Sequence, residues 1–442
     1  MLTTEENELM CRVGAGTPTG DLIRHYWLPA IMSSEVLEND GPPLRVRLLG
    51  EDLVAFRDTH GRVGLVDDRC PHRGAGMFFG RNGEGGLRCV YHGWKYDVTG
   101  RCIDMPNAPE GATYMDKVKI KSYPCSERNG VIWVYMGIEA TPPPLPDFEW
   151  NMVPVENRHI AKRLQINNFV QALEGDIDNS HNSYLHTRLP YKMSQPSERT
   201  MGPYYKELDR CPEFEAIDTD YGVLIGCHRN VDEDNYYWRM SQYLLPIYTM
   251  TGPYGVDPTR GFRAWIPIDD ENTMVFGATY HPNRPLTEEE IGRLETRGSV
   301  YSVGSDVGFL PEDPTKPGSQ WRPRQNITND FWNDVSAQKS ERWSSIPNLF
   351  AQDSGMQETM GPIYDRTKEH LVSTDSGIIH TRHRLIDAAR ALRDRGELPL
   401  SVSDPSLFAI RSAAVVLPKS ENWAEATREH RIALQPMNYA GA

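Results

Sequence analysis

Two short stretches constrain this chain more than anything else in it: CPHRG at residues 70–74 and CVYHGW at residues 89–94. Each carries one cysteine and one histidine followed by glycine, and 16 residues separate His72 from Cys89. Two thiolates and two imidazoles suit a tetrahedral zinc ion or an iron–sulfur cluster held by two cysteines and two histidines. Either metal needs two loops presented side by side. The surrounding segment, residues 44–140, has the texture for that. Runs such as LRVRLLG, LVAFRDT, LRCVYHGWKYDV and GVIWVYMG are short, rich in β-branched and aromatic residues, and separated by Gly, Asp and Asn. This predicts an all-β unit. Residues 141–147, TPPPLPD, end it, because proline lacks a donor and fixes φ.

The remainder reads differently. Residues 166–187, beginning INNFVQALEGDIDNSHNSYLH, predict a helix with Phe169, Leu173 and Ile177 on one face. Strands are expected at 222–227, 236–245 and 263–280, and a long polar surface loop at 307–330. A short helix is expected at 16–27. A longer amphipathic one at 380–395, through Leu385, Ala388, Ala389 and Leu392, stops at Gly396. The last 25 or so residues read as a polar wrap. At 442 residues the chain has room for two to three domains.

Charge and cysteine usage narrow the setting. A formal charge of −14 disfavours nucleic acid and anionic membrane as partners. No apolar run is long enough to span a bilayer, and MLTTEENELM lacks a signal-peptide pattern. Seven cysteines, an odd number, argue against a disulfide framework and for a reducing, cytoplasmic setting.

A second metal site is suggested by D-x-x-H-x-x-x-x-H at Asp178, His181 and His186. Histidines five apart sit about 140° apart on a regular helix, so a shared ion requires the helix to break or distort near Asn182 and Ser183.

Taken together, C-x-H, C-x-x-H and the downstream D-x-x-H-x-x-x-x-H resemble the oxygenase α subunit of Rieske non-haem iron oxygenases. The stretches ENELMCRVGAGTPTGDLIRHYWLPA, LRCVYHGWKYDVTGRCIDMPN and QDSGMQETMGPIYDRT resemble its phthalate dioxygenase branch. The resemblance implies an α+β chain. An N-terminal all-β Rieske domain (1–145) precedes a helix-grip, START-like catalytic domain (146–442) of antiparallel sheet and helices. It implies a [2Fe–2S] cluster with Cys70 and Cys89 on one iron and His72 and His92 on the other. Trp94 and Tyr96 lie nearby, and Gly74 and Gly93 open loops whose amides can bond the sulfides. His181, His186 and a later carboxylate would form a 2-His-1-carboxylate site for Fe(II), open to O2. The resemblance puts that carboxylate toward the C-terminus, where the candidates are Asp353, Asp365 and Asp375, and the family pattern of a glutamate five residues after the ligand favours Asp353, followed by Glu358. Asp178 would join His92 of a neighbouring subunit to His181, which implies a homotrimer or stacked trimers. The chain shows no G-x-G-x-x-G after a strand, so NAD(P)H would act through a separate reductase, with or without a ferredoxin. An aromatic carboxylate substrate calls for a cation, with Arg239 first and Arg210 second. The implied reaction is hydroxylation of a phthalate-like acid, with O-demethylation of a methoxylated aromatic acid as the alternative.

Overall fold

The computed structural model describes the chain except residues 110–112, 140, 190–200, 256, 317 and 434–442. Its N-terminal β portion is built from three small antiparallel sheets. Leu44–Leu48, Glu51–Arg57, Val63–Asp67 and Ser122–Tyr123 form one. Arg81–Gly83, Gly86–Arg88, Lys95–Tyr96 and Cys102–Asp104 form the second, which carries the two Cys/His loops. Trp27–Met32, Val131–Tyr135 and Cys125–Arg128 form the third. A separate apolar core of Val54, Phe56, Val66, Met77, Leu87 and Tyr96 binds the first two together and buries both Cys70 and Cys89.

The larger portion is an antiparallel sheet of eight strands. Its order is Arg158–Gln165, Thr273–Tyr280, Arg260–Pro267, Tyr248–Thr251, Asn235–Leu244, Gly222–Asn230 and Glu213–Thr219, with Ala414–Pro418 pairing Asn235–Leu244. The helices Phe169–Ile177 and Ser376–Arg395 pack against it. The second helix buries Leu385, Ala388 and Ala389 and ends where Gly396 takes a left-handed φ of 68°. It begins four residues earlier than the sequence suggests. The expected strand at 263–280 is a hairpin of two strands, turning at the polar DDEN of residues 269–272. The 307–330 segment is largely irregular, as expected, but it is anchored: Ser319 is buried and Trp321 donates to Glu35. The C-terminal stretch contributes the buried Trp423, and its last nine residues lie outside the described ones.

The short N-terminal helices pack on the large portion. Helices Thr4–Cys11 and Pro18–Arg24 rest on Ser376–Arg395, and the Asn7 amide donates to the Tyr364 carbonyl. An aromatic seam joins the two portions. Fully buried Phe148 has Trp133 at 5.9 Å, Phe262 at 4.6 Å, and Tyr248 and Phe408 each at 5.0 Å. Phe148→Ala is expected to cost about 3–5 kcal/mol, read as a lower urea midpoint at unchanged slope.

Candidate metal centres

The first centre sits at the tips of two loops. Gly74 and Gly93 hold positive φ (75° and 82°), and their amides donate to the carbonyls of Cys70 and Cys89 at 2.8 and 3.0 Å. Those two amides therefore close the loops, leaving other loop amides to face a cluster. Gly93 has a second constraint, since a Cβ there would meet Pro106 at 2.6 Å. The loops bring the His72 and His92 rings to 4.4 Å. Trp94 stacks on His72 at 4.3 Å and donates its indole N–H to Asn107. The Tyr96 hydroxyl lies 3.5 Å from Cys70 Sγ. Burial pushes the Cys70 thiol up, and the adjacent Cys89 adds to it. His72 Nδ1 is buried with no hydrogen bond among the described residues. An orphaned ring nitrogen beside two buried thiols fits an iron–sulfur cluster with mixed ligands.

The second centre is made where a helix stops. The helix predicted across 166–187 ends at Ile177, and Asp178 (ψ 111°) turns the chain away. A single 3-10 turn at His181–Ser183 follows. The break thus comes several residues before Asn182 and Ser183. Its cause is Asp178, whose carboxylate accepts the Ser180 amide at 2.6 Å, an interaction that competes with helix continuation. The second oxygen of Asp178 lies 3.1 Å from His181 Nδ1. His186 Nδ1 faces Gln352 Oε1 at 2.7 Å. Both rings therefore turn Nε2 inward, 3.2 Å apart, toward Asp353 Oδ1 at 3.6 Å from His181 and 3.1 Å from His186.

Asp353 rises from the helix Leu349–Thr359. Burial opposes its ionisation, but His186, His181 and Arg263 outweigh that and hold the carboxyl below its usual range. With both Nδ1 protons engaged, two nitrogen lone pairs and a carboxylate converge on one point. Three acceptors so placed suit a bound metal cation. Among the described residues, His181, His186 and Asp353 are the single group whose ligand atoms come together in this way, all within 4.8 Å. The other two carboxylates lie elsewhere. Asp365 is engaged by Thr367 and Lys368, and Asp375 accepts the Val372 amide.

A cavity of about 350 Å³ opens on this centre. Arg239 lines it, with its Nε donating to the Gly252 carbonyl at 2.8 Å, a bond from Nη1 to Asn179, and its guanidinium over Tyr254. Arg210 is not among the lining residues and lies over the ring of Tyr184. Sequence reasoning missed Asp176, Arg263, Tyr301 and Arg260, which also line the cavity. Arg263 pairs with Asp176 and covers Tyr301 at 3.8 Å. Asp176 lay within the stretch already singled out; nothing local marked the others. A larger cleft of about 910 Å³, lined by Arg45, Asp68, Phe79, Asp313 and Arg322 among others, gathers no ligand cluster among the described residues, so the chemistry belongs to the smaller cavity.

A β-rich Cys/His loop pair followed by a sheet-and-helix domain with a 2-His-1-carboxylate cluster defines an iron-dependent oxygenase. Residues 26–124 match the Rieske [2Fe-2S] domain family and residues 134–438 the "LigXa C-terminal domain like" family. The chain belongs to the Rieske non-haem iron oxygenases, and its cofactors are a Rieske cluster and a mononuclear iron that works with O2. It is 37% identical to the 3-chlorobenzoate-3,4-dioxygenase oxygenase subunit of Comamonas testosteroni over 98% of this chain and 99% of that one. It is 32% identical to the phthalate 4,5-dioxygenase oxygenase subunit of Pseudomonas putida over 99% and 98%. The solved dicamba monooxygenase shares the fold at a TM-score of 0.58 and 18% identity, covering 84% of this chain and 99% of its own. No helix among the described residues is long and apolar enough to cross a membrane.

Proposed function

We propose that this chain is the terminal oxygenase of a Rieske system that hydroxylates an aromatic carboxylate, with residues 1–145 carrying the cluster and 146–442 the iron. The observation that carries this reading is the opening of an arginine-lined cavity onto His181, His186 and Asp353. Cys70, His72, Cys89 and His92 hold the cluster; His181, His186 and Asp353 hold the mononuclear iron. When bound, the two groups supply single electrons and O2 activation. A separate reductase, directly or through a ferredoxin, delivers the electrons, because no nucleotide fingerprint is present in the sequence.

The chain's own residues orient and enclose. Arg239 presents a guanidinium fixed by Gly252 and Asn179, and no hydrogen bond from its Nη2 is found among the described residues. That group suits a substrate carboxylate. Such an anchor would hold the substrate ring beside His181, His186 and Asp353, and the carbon presented there would decide between ring hydroxylation and O-demethylation. Arg239→Ala is expected to raise KM at least about 10-fold for a carboxylate substrate and to change it little for the matching amide. Equal effects on both would remove Arg239 from recognition.

Asp178 holds the Nδ1 proton of His181 and stands at the mouth of a second cleft with the exposed side chains of Tyr184, Trp343, Met356 and Met360. Val90 and Tyr91, beside His92, are likewise exposed. Two apolar exposed faces, one beside each metal centre, support a cyclic homotrimer in which Asp178 would meet His92 of the next copy.

A further inference from the structure

We propose that Gln352 is the positioning residue for His186, and that Asp178 and Gln352 make the two imidazoles of the iron centre electronically unequal. This rests on the reading of His186 as an iron ligand. Gln352 is buried, one residue before Asp353 on the helix Leu349–Thr359. Its Nε2 donates to the Ile346 carbonyl at 2.8 Å, and its Oε1 lies 2.7 Å from His186 Nδ1.

The Ile346 carbonyl settles which end of the amide points where. A flipped amide would set oxygen against the Ile346 oxygen and leave both buried. Since an amide oxygen only accepts, His186 Nδ1 carries the proton and Nε2 keeps its lone pair for the metal. The same logic applies to His181, but its acceptor is the carboxylate of Asp178. A carboxylate draws the Nδ1 proton and makes the ring a stronger donor; an amide does so much less. His186 is thus the more weakly donating imidazole of the two. One helix delivers both Asp353 and the group that aims its neighbouring ligand, so any shift of that helix moves two of the three donors together.

The test uses the full chain under anaerobic conditions, with Fe(II) alone as the metal probe in chelator competition. Gln352→Met removes the acceptor at similar volume, and Gln352→Glu keeps one and adds charge. The expected result is Fe(II) affinity about 10–100-fold weaker in Gln352→Met with the cluster absorbance retained. Gln352→Glu is expected to bind at least as tightly as the parent and to change the electron paramagnetic resonance signal of the ferrous–nitric oxide complex. Parent-like affinity in Gln352→Met overturns the proposal. If Gln352→Met loses the cluster as well, Gln352→Glu decides, and weaker binding or an unchanged signal there overturns it. His186→Ala separates the two readings. Parent-like Fe(II) binding in that variant removes the ligand assignment itself. Lost binding there with parent-like Gln352→Met removes only the role of Gln352.

Discussion

Asp178→Asn, supplied with excess Fe(II), is expected to keep both metal centres filled and to lose about 100-fold in turnover. The change is nearly isosteric, and the helix still ends at Ile177, because an Asn oxygen can accept the Ser180 amide as the Asp oxygen does at 2.6 Å. What fails is the second acceptor. The carboxylate offers oxygens in two directions, one of them 3.1 Å from His181 Nδ1. An amide offers one oxygen and one donor, and the donor opposes an imidazole N–H. If Asp178 served only as a local cap, the variant would keep its turnover. If it joins the two centres between copies, iron content and cluster spectrum stay at parent levels while oxidation of the reduced cluster slows. Burial works against the Asp178 carboxylate, but the His181 hydrogen bond and charge hold it below the usual range, so it stays an acceptor at neutral pH.

Asp353→Ala is expected to empty the mononuclear site and leave the cluster spectrum unchanged. Removing one of three ligands from a site whose other two are neutral imidazoles removes its only compensating charge. The cluster belongs to a separate core of Val54, Phe56, Met77 and Tyr96 and does not depend on Asp353. Iron per chain should fall by the mononuclear share, read by elemental analysis against cluster absorbance. Unchanged iron would return Asp365 or Asp375 to consideration, although neither lies with the histidines.

Much of this was legible in the sequence for a physical reason. Tight loops leave short, local signatures, so spacing and glycines marked Cys70, His72, Cys89 and His92 as candidate metal ligands, while the choice of a cluster over zinc rested on the family resemblance. The ending of a helix is also local, but the residue that ends it was misplaced. Propensity pointed to Asn182 and Ser183, whereas Asp178 turns the chain by accepting the amide two residues on. Asp353 was found only through resemblance to a family pattern, since nothing in LFAQDSGMQE sets one aspartate apart as a ligand. Gln352, Arg263 and Tyr301 were invisible because their roles are long-range: Gln352 lies 166 residues from His186 and meets it only through the packed helix. The sequence placed Arg239, in the strand-like YYWRM, ahead of Arg210, in KELDRCPEF. Strand position separates them, with Arg239 inside the large sheet and Arg210 after the helix Met201–Leu208.

The most direct test of the central claim is a single turnover of the fully reduced protein with O2 and a panel of aromatic acids, with product identification. The panel spans phthalates, methoxybenzoates and diaryl acids. The expected result is oxidation of the cluster coupled to one oxygenated product from an acid in the panel. A cis-diol marks ring hydroxylation, and formaldehyde with a phenol marks O-demethylation on the same scaffold. Cluster oxidation without product from any acid would contradict the assignment of an aromatic carboxylate to the Arg239 cavity.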